Sequence, residues 1–335
     1  MSETEGGAAI GTIGVLGAGA WGTALALAVA RAGRPVRLWA RDGEQRRAMR
    51  ETRENRRHLP GVALDPGIAI EERAEALAGL EAVLLAVPAQ EVRRASAALA
   101  QSRGTIVCCA KGLERATGLR LSEVLGETCP DARPAVLSGP SFAAEVAAGL
   151  PTAVTIAAAD RTLAADLART LASPTFRPYP SDDLQGVEIG GALKNVIAIA
   201  AGVVIGRGLG ENARAAVITR GLAELSRLAM ALGARRETLT GLSGLGDLLL
   251  TATSLTSRNT SFGYALSRGE TPAALMAAGR KLSEGAWTAA AACRLAGRVG
   301  VELPITEAVR AVVEGECDVA AAIESLLSRP LALSE

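Results

Sequence analysis

The sequence predicts an N-terminal α/β domain with a doubly wound, mostly parallel sheet, followed by an all-α C-terminal domain. Three observations carry this prediction. Short apolar runs alternate with helical patterns through the first half of the chain. A glycine-rich turn joins the first apolar run to the first helical pattern. Beyond Gly191 the apolar positions keep helical spacing, and no strand series remains.

The elements follow in order. Residues 12–16 form an apolar run that opens into Gly17-Ala18-Gly19-Ala20-Trp21-Gly22; residues 23–32 read as a helix stopped at Gly33, and 36–39 as a second strand. Strand, glycine loop, helix and strand in that order make a mononucleotide-binding unit. Further strands are expected at 82–87, 105–109, 135–137, 153–157 and 176–179, with helices at 92–99 and 160–171. Helices between strands imply crossover connections and hence parallel neighbours. The pattern changes near Asp182, and glycine clusters at 206–210, 241–246 and 269–272 then punctuate long Ala/Leu/Val segments. The expected division is a Rossmann domain at 8–185 and a helical, substrate-binding domain at 186–335.

Composition excludes several classes of function. The formal net charge is +1, so no global field recruits nucleic acid or an anionic membrane. Aromatics make up 2% of the chain, too few for stacking platforms along a single strand. The acidic start lacks the basic and apolar regions of a secretory signal. The longest apolar stretch, near 196–205, is short of the ~20 residues that span a bilayer, so no membrane insertion is expected. Five cysteines, an odd number without a C-x-x-C pair, suggest neither a disulfide framework nor a metal site, and fit a reducing cytoplasm.

The G-x-G-x-x-G of Gly17, Gly19 and Gly22 has a physical task. The first glycine permits the tight turn, the second lets backbone approach a pyrophosphate, and the third allows close helix–sheet packing. The preceding strand and following helix favour a dinucleotide over a structural turn. The second strand ends in Arg41-Asp42. Arg41 stands where a 2′-phosphate would lie, which favours NADPH; Asp42 keeps NADH open.

A carbonyl reduction needs a proton donor beside the hydride source. The one histidine, His58, follows a charged helix in a loop without a motif. Only three lysines, Lys111, Lys194 and Lys281, stand against 33 arginines, which singles them out for tasks arginine cannot perform. Lys194 lies within 189–201, an apolar helical pattern where burial would lower its pKa; a lysine snorkelling to water is the plainer alternative. Asp247 reads as a helix N-cap or as a carboxylate orienting Lys194. Ser257-Arg258-Asn259 reads equally as a phosphate seat or as a capped surface helix.

Further motifs follow the glycine loop in order: Lys111-Gly112-Leu113-Glu114, Ser138-Gly139-Pro140-Ser141-Phe142-Ala143-Ala144-Glu145, Gly191-Ala192-Leu193-Lys194-Asn195, Asn212-Ala213-Arg214-Ala215, Gly244-Leu245-Gly246-Asp247-Leu248, Ser257-Arg258-Asn259 and Ser283-Glu284-Gly285. Together they resemble the bacterial NAD(P)-dependent sn-glycerol-3-phosphate dehydrogenases over about 13–305. The resemblance implies a cytoplasmic homodimer that reduces dihydroxyacetone phosphate with NADPH or NADH, supplying glycerol 3-phosphate for glycerophospholipid synthesis. It implies that Lys194 is the general acid/base. It implies substrate contacts at Lys111, Gly139, Ser141, Asp247, Ser257, Arg258 and Asn259, with Asn195 and Thr251 lining the same pocket. Cofactor contacts are implied at the loop residues Gly17, Gly19, Ala20, Trp21 and Gly22, and at Arg41, Lys111, Ala143, Arg258, Leu282 and Glu284. Ala20 and Ala89 replace common serines, and Gly206-Arg207 replaces a more usual Asp-Gly pair. Two other readings stand beside this one: a hydroxy-acid dehydrogenase of similar architecture, and a non-catalytic NAD(P)-binding regulator.

Overall fold

A computed structural model describes residues 10–277 and 283–330. The chain divides into two compact units: residues up to Lys111 with Arg120–Val187, and Gly112–Leu119 with the chain from Glu188 onward. Two features differ from the expected division. The boundary falls inside the first turn of the helix Leu184–Gly206, and a short strap, Gly112–Leu119, belongs to the helical unit. The strap is held by packing: Leu113 is fully buried among Ile189, Leu193 and Leu239 of that unit. Arg115 also lies 4.0 Å over the Trp287 ring.

In the first unit, the described strands are β1 (Ile13–Leu16), β2 (Val36–Trp39), β3 (Ile68–Ile70), β4 (Ala82–Leu85), β5 (Thr105–Cys108), β6 (Arg133–Ser138), β7 (Thr152–Ala158) and β8 (Phe176–Ser181). They form one sheet in the order β3-β2-β1-β4-β5-β6-β7-β8. All neighbours are parallel except β6 and β7, which run antiparallel. The strands β1, β4 and β5 are buried at every residue, as strands covered on both faces must be. Chain order reverses between β1 and β4, where Val15 lies level with both Leu38 and Leu84. Their carboxyl ends therefore open a crevice suited to a ligand. The strand β3 escapes a periodicity reading because it has 3 residues and follows a turn capped by Asp65 Oδ1. Pro178 and Pro180 sit in β8, an edge strand, where a missing N–H is tolerated.

The helices α1 (Ala20–Arg31), α2 (Gly43–Thr52), α3 (Val92–Ser96), α4 (Leu121–Thr128), α5 (Ala143–Ala147) and α6 (Arg161–Leu171) belong to this unit. The helix α1 starts three residues earlier than the pattern suggests, inside the glycine loop itself. The α3 segment keeps α geometry only to Ser96 and tightens into a 3₁₀ turn over Ala97–Leu99.

The second unit contains α7 (Leu184–Gly206), α8 (Gly210–Ala231), α9 (Arg236–Thr240), α10 (Asp247–Ala252), α11 (Arg258–Ser267), α12 (Pro272–Ala277), α13 (Glu284–Arg298), α14 (Pro304–Glu314) and α15 (Val319–Leu327). Three apolar clusters surround α7, using Ile189 and Leu193, Val196 and Ile199, and Ile197 and Ala198 respectively. A helix apolar on all sides must be buried. By length and composition this 23-residue helix could cross a membrane, although the stretch 196–205 alone is too short; 78% of its most apolar window is buried inside the protein. Backbones approach closely around it. A Cβ at Gly202 would lie 2.0 Å from Thr260 O in α11. The departure at Gly206 has a related cause, since a Cβ there would meet Ser267 Oγ at 1.9 Å. Glu224 of α8 caps α14, accepting from Ile305 N at 2.6 Å and Thr306 N at 3.2 Å. Burial pushes its carboxyl above the usual range despite those hydrogen bonds.

Candidate active site

In the α/β unit the glycine loop is shaped by exclusion. Gly17 has φ +112, and a Cβ there would lie 2.5 Å from Ala86 O. A Cβ at Gly22 would lie 1.8 Å from Gly17 O, so the first turn of α1 seats directly on the loop. A Cβ at Gly19 would meet nothing within 4 Å, leaving open space beside the backbone. Gly19 caps α1 without a side chain, and Ala20 supplies no hydroxyl. The helix thus starts with N–H groups that lack intrahelical acceptors, pointing where an anion binds well. Trp21 Nε1 is buried without a hydrogen-bond partner among the described residues. An orphaned donor beside a backbone cradle fits a dinucleotide.

Arg41, just past β2, has a side chain 75% exposed and pairs loosely with Glu91 at 3.4 Å. Asp42 is committed elsewhere. Its Oδ1 accepts from Glu44 N and Gln45 N, capping α2, and its Oδ2 pairs with Arg57. The Gln45 N–H first, and Arg57 with it, hold this carboxyl below its ordinary range. On a third loop, Lys111 Nζ and Ser141 Oγ both donate to Gly139 O, each at 2.9 Å. A Cβ at Gly139 would press on Val154 Cα at 2.8 Å. Ala143 is the first residue of α5. His58 sits half-buried in a turn following Asn55.

In the helical unit, residues far apart in sequence converge on Lys194. Its ammonium donates to Asp247 Oδ1 and to Thr251 Oγ1, both at 2.7 Å. Lys194 is 6% exposed and Asp247 1%, so this pair is shielded from water and does not snorkel. Asp247 and Thr251 stand four residues apart on α10 and therefore share a face. A π-helical turn, Leu242–Gly246, precedes α10. Within it a Cβ at Gly244 would lie 2.0 Å from Leu239 O. Asp247 is the first helical residue rather than the cap, which is Gly246, so its carboxylate is available to the lysine.

A second chain of hydrogen bonds adjoins the first. Asn259 Nδ2 donates to Asn195 Oδ1 at 2.8 Å, and Asn259 Oδ1 accepts from Ser283 Oγ at 2.7 Å and Gly285 N at 3.0 Å. Thr260 Oγ1 donates to Thr251 O at 2.6 Å, tying the end of α10 to the start of α11. Ser257 caps α11, accepting from Thr260 N, while Arg258 points outward and is exposed. The capping reading of Ser257-Arg258-Asn259 is therefore seen at Ser257, while the Arg258 guanidinium is left at the surface. Glu284 opens α13; Leu282 and Lys281 lie outside the described residues. Burial pushes the thiols of Cys109 and Cys129 up, and that of Cys293 to about 11, which disfavours their thiolate forms.

Family models described as the N-terminus and C-terminus of NAD-dependent glycerol-3-phosphate dehydrogenase match residues 12–164 and 183–324. The chain belongs to the NAD-dependent glycerol-3-phosphate dehydrogenase family. It is 56% identical to the glycerol-3-phosphate dehydrogenase [NAD(P)+] of Rhodospirillum rubrum, over 95% of this chain and 93% of the relative. The counterpart in Methylobacterium radiotolerans is 55% identical, over 95% and 97%. The crystal structure of glycerol-3-phosphate dehydrogenase from Coxiella burnetii superposes with a TM-score of 0.89 at 38% identity, covering 96% of this chain and 99% of that one. The motif residues thus stand in three sets, at the glycine loop, around the Gly139 carbonyl and around Lys194. Sequence reasoning missed the side chains that hold these sets in place. Ser283 and Thr260 brace the lysine site, and Asn55 braces the loop. Ser283 carried a faint signal as part of Ser283-Glu284-Gly285; Thr260 and Asn55 carried none.

Proposed function

We propose that this enzyme interconverts dihydroxyacetone phosphate and sn-glycerol 3-phosphate with NAD(P)H, and so supplies glycerol 3-phosphate for glycerophospholipid synthesis. The observation that carries the reading is the buried Lys194–Asp247 pair at 2.7 Å. When bound, NAD(P)H supplies the hydride. Lys194 gives a proton to the carbonyl oxygen in reduction and takes it back in oxidation. Its positive charge also stabilises the alkoxide as it develops. Asp247 keeps the amine charged and aimed, and Thr251 fixes it from a second direction.

Substrate contacts fall to Lys111, Gly139, Ser141, Asn195, Asp247, Thr251, Ser257, Arg258 and Asn259. Arg258 offers a forked cation to a phosphate at the start of α11, where helix N–H groups add to it. The glycine loop with Trp21, Arg41, Lys111, Ala143, Arg258, Leu282 and Glu284 holds the cofactor. The exposed Arg41 and the committed Asp42 support NADPH as the preferred form. A hydroxy-acid dehydrogenase would not need a phosphate seat. A non-catalytic regulator would have no use for a buried ion pair, whose desolvation is costly.

We further place the protein in the cytoplasm as a homodimer. Support comes from five free cysteines and from exposed apolar residues such as Leu327, 82% exposed. Light scattering on the purified protein tests the stoichiometry, and cell fractionation the location. The activity is tested by following NADPH and NADH absorbance with dihydroxyacetone phosphate, unphosphorylated dihydroxyacetone and a hydroxy-acid panel. Turnover confined to the phosphorylated triose is expected. Equal turnover of dihydroxyacetone, or preference for a hydroxy acid, overturns the reading.

A further inference from the structure

The carbonyl of Ala18, in the middle of the glycine loop, is gripped by two side-chain amides. Asn55 Nδ2 donates to it at 2.9 Å and Gln45 Nε2 at 2.7 Å. The two amides also hold each other, with Gln45 Nε2 donating to Asn55 Oδ1 at 3.1 Å. Asn55 spends its other N–H on Thr23 Oγ1 of α1, at 2.7 Å. Asn55 is 1% exposed, and its donors and acceptor are matched to these partners, which leaves its amide one orientation.

A trans peptide is planar, so the carbonyl of Ala18 and the N–H of Gly19 point in opposite directions. Fixing the carbonyl on the Asn55 side fixes the Gly19 N–H on the opposite side of the peptide, and a Cβ on Gly19 would meet nothing within 4 Å. The neighbouring groups are also pinned: Gly17 N donates to Trp39 O at 2.9 Å, and Gly19 O accepts from Thr23 N at 3.0 Å. Flipping the Ala18–Gly19 peptide would turn an oxygen toward the anion in place of a donor. Such a flip turns φ of Gly19 through about half a turn, which glycine permits at little steric cost.

We infer that Asn55, with Gln45, is a positioning residue for dinucleotide binding: it locks the Ala18–Gly19 peptide with its N–H facing the pyrophosphate. The inference rests on the reading of the loop as the NAD(P)H site. The pyrophosphate is common to both nucleotides, so loss of the lock weakens NADPH and NADH alike, unlike loss of Arg41.

The test uses Asn55→Asp, which keeps the shape but replaces both N–H donors with oxygen, and Gln45→Met, which keeps the stem. Dissociation constants for NADPH and NADH are measured by titration calorimetry, alongside steady-state kinetics with dihydroxyacetone phosphate. Both dissociation constants are expected to rise, by about tenfold for Asn55→Asp and about threefold for Gln45→Met. The turnover number at saturating cofactor and the KM for dihydroxyacetone phosphate stay unchanged. Unchanged nucleotide affinity in both variants, a loss confined to NADPH, or a fall in turnover number at saturating cofactor overturns the inference. If Asn55→Asp does not fold, Gln45→Met decides by the same criteria. A wild-type protein that binds neither nucleotide overturns the reading of the loop itself, and the inference with it.

Discussion

The two halves of the proposed site are built from opposite materials. The glycine loop of the α/β unit presents backbone, and its shape comes from places where a side chain cannot exist, such as Gly17 and Gly22. The lysine site of the helical unit presents side chains, with an ammonium and a carboxylate taken out of water together. A backbone cradle separates stability from function, because the ligand side of the loop does not hold the fold. A buried ion pair joins them, because removing either charge leaves the other buried with its main compensation for lost water gone.

Substitutions can break this contrast or sharpen it. The largest effect is expected at Lys194. Lys194→Met should lower single-turnover NADPH oxidation by about a hundredfold or more. It should also destabilise the helical unit by about 3–5 kcal/mol, because Asp247 is left buried and charged. Adding Asp247→Leu to Lys194→Met should restore much of the melting temperature and none of the activity. A single variant with unchanged melting temperature would deny the coupling, and activity near wild type would deny the proton-transfer role.

Arg258→Ala comes next. A charge-assisted contact to phosphate is worth roughly 1.5–3 kcal/mol, so kcat/KM for dihydroxyacetone phosphate should fall by about ten- to a hundredfold. Ser257 still caps α11, so thermal stability should not follow. Unchanged kinetics would reduce the tripeptide to a helix cap.

Arg41→Ala should weaken NADPH by about tenfold, the lower end for such a contact because Arg41 is exposed and salt screens it. NADH affinity should be unaffected, and the NADPH loss should shrink as ionic strength rises. Equal loss of both nucleotides would remove Arg41 from discrimination. The smallest change in stability, with a clear change in binding, is expected at Gly19. Gly19→Ala should leave the melting curve in place, since its Cβ meets no protein atom, while raising KM for both nucleotides. Gly22→Ala should instead lower the melting temperature, because its Cβ lands on Gly17 O.

Much of the fold was legible because long-range order is written in short-range pattern. The glycine loop lies between β1 and α1, and the alternation of strands and helices imposes parallel pairing wherever a crossover intervenes. The antiparallel step from β6 to β7 left no such mark, nor did the three residues of β3. Lys194 stood out because so few lysines survive in an arginine-rich chain, and its burial could be guessed from its apolar neighbours. Its partner was harder to read, since Asp at a helix start has an ordinary explanation that the structure assigns to Gly246 instead. Bracing amides such as Asn55 are invisible in sequence, because one hydrogen-bonding side chain has no period and no fixed spacing to its target.

The strap Gly112–Leu119 makes the helical unit something other than a C-terminal cassette. The polypeptide passes from one unit to the other at three points, near residues 111, 119 and 187. Cutting the chain at the last of these would leave Leu113 and Arg115 on the piece that lacks their partners. Recombination that grafts a foreign helical half after residue 187 must therefore bring a matching loop with it, some seventy residues upstream. The helical unit is thus encoded in two separated stretches of sequence, and its packing cannot be transferred by moving either one alone.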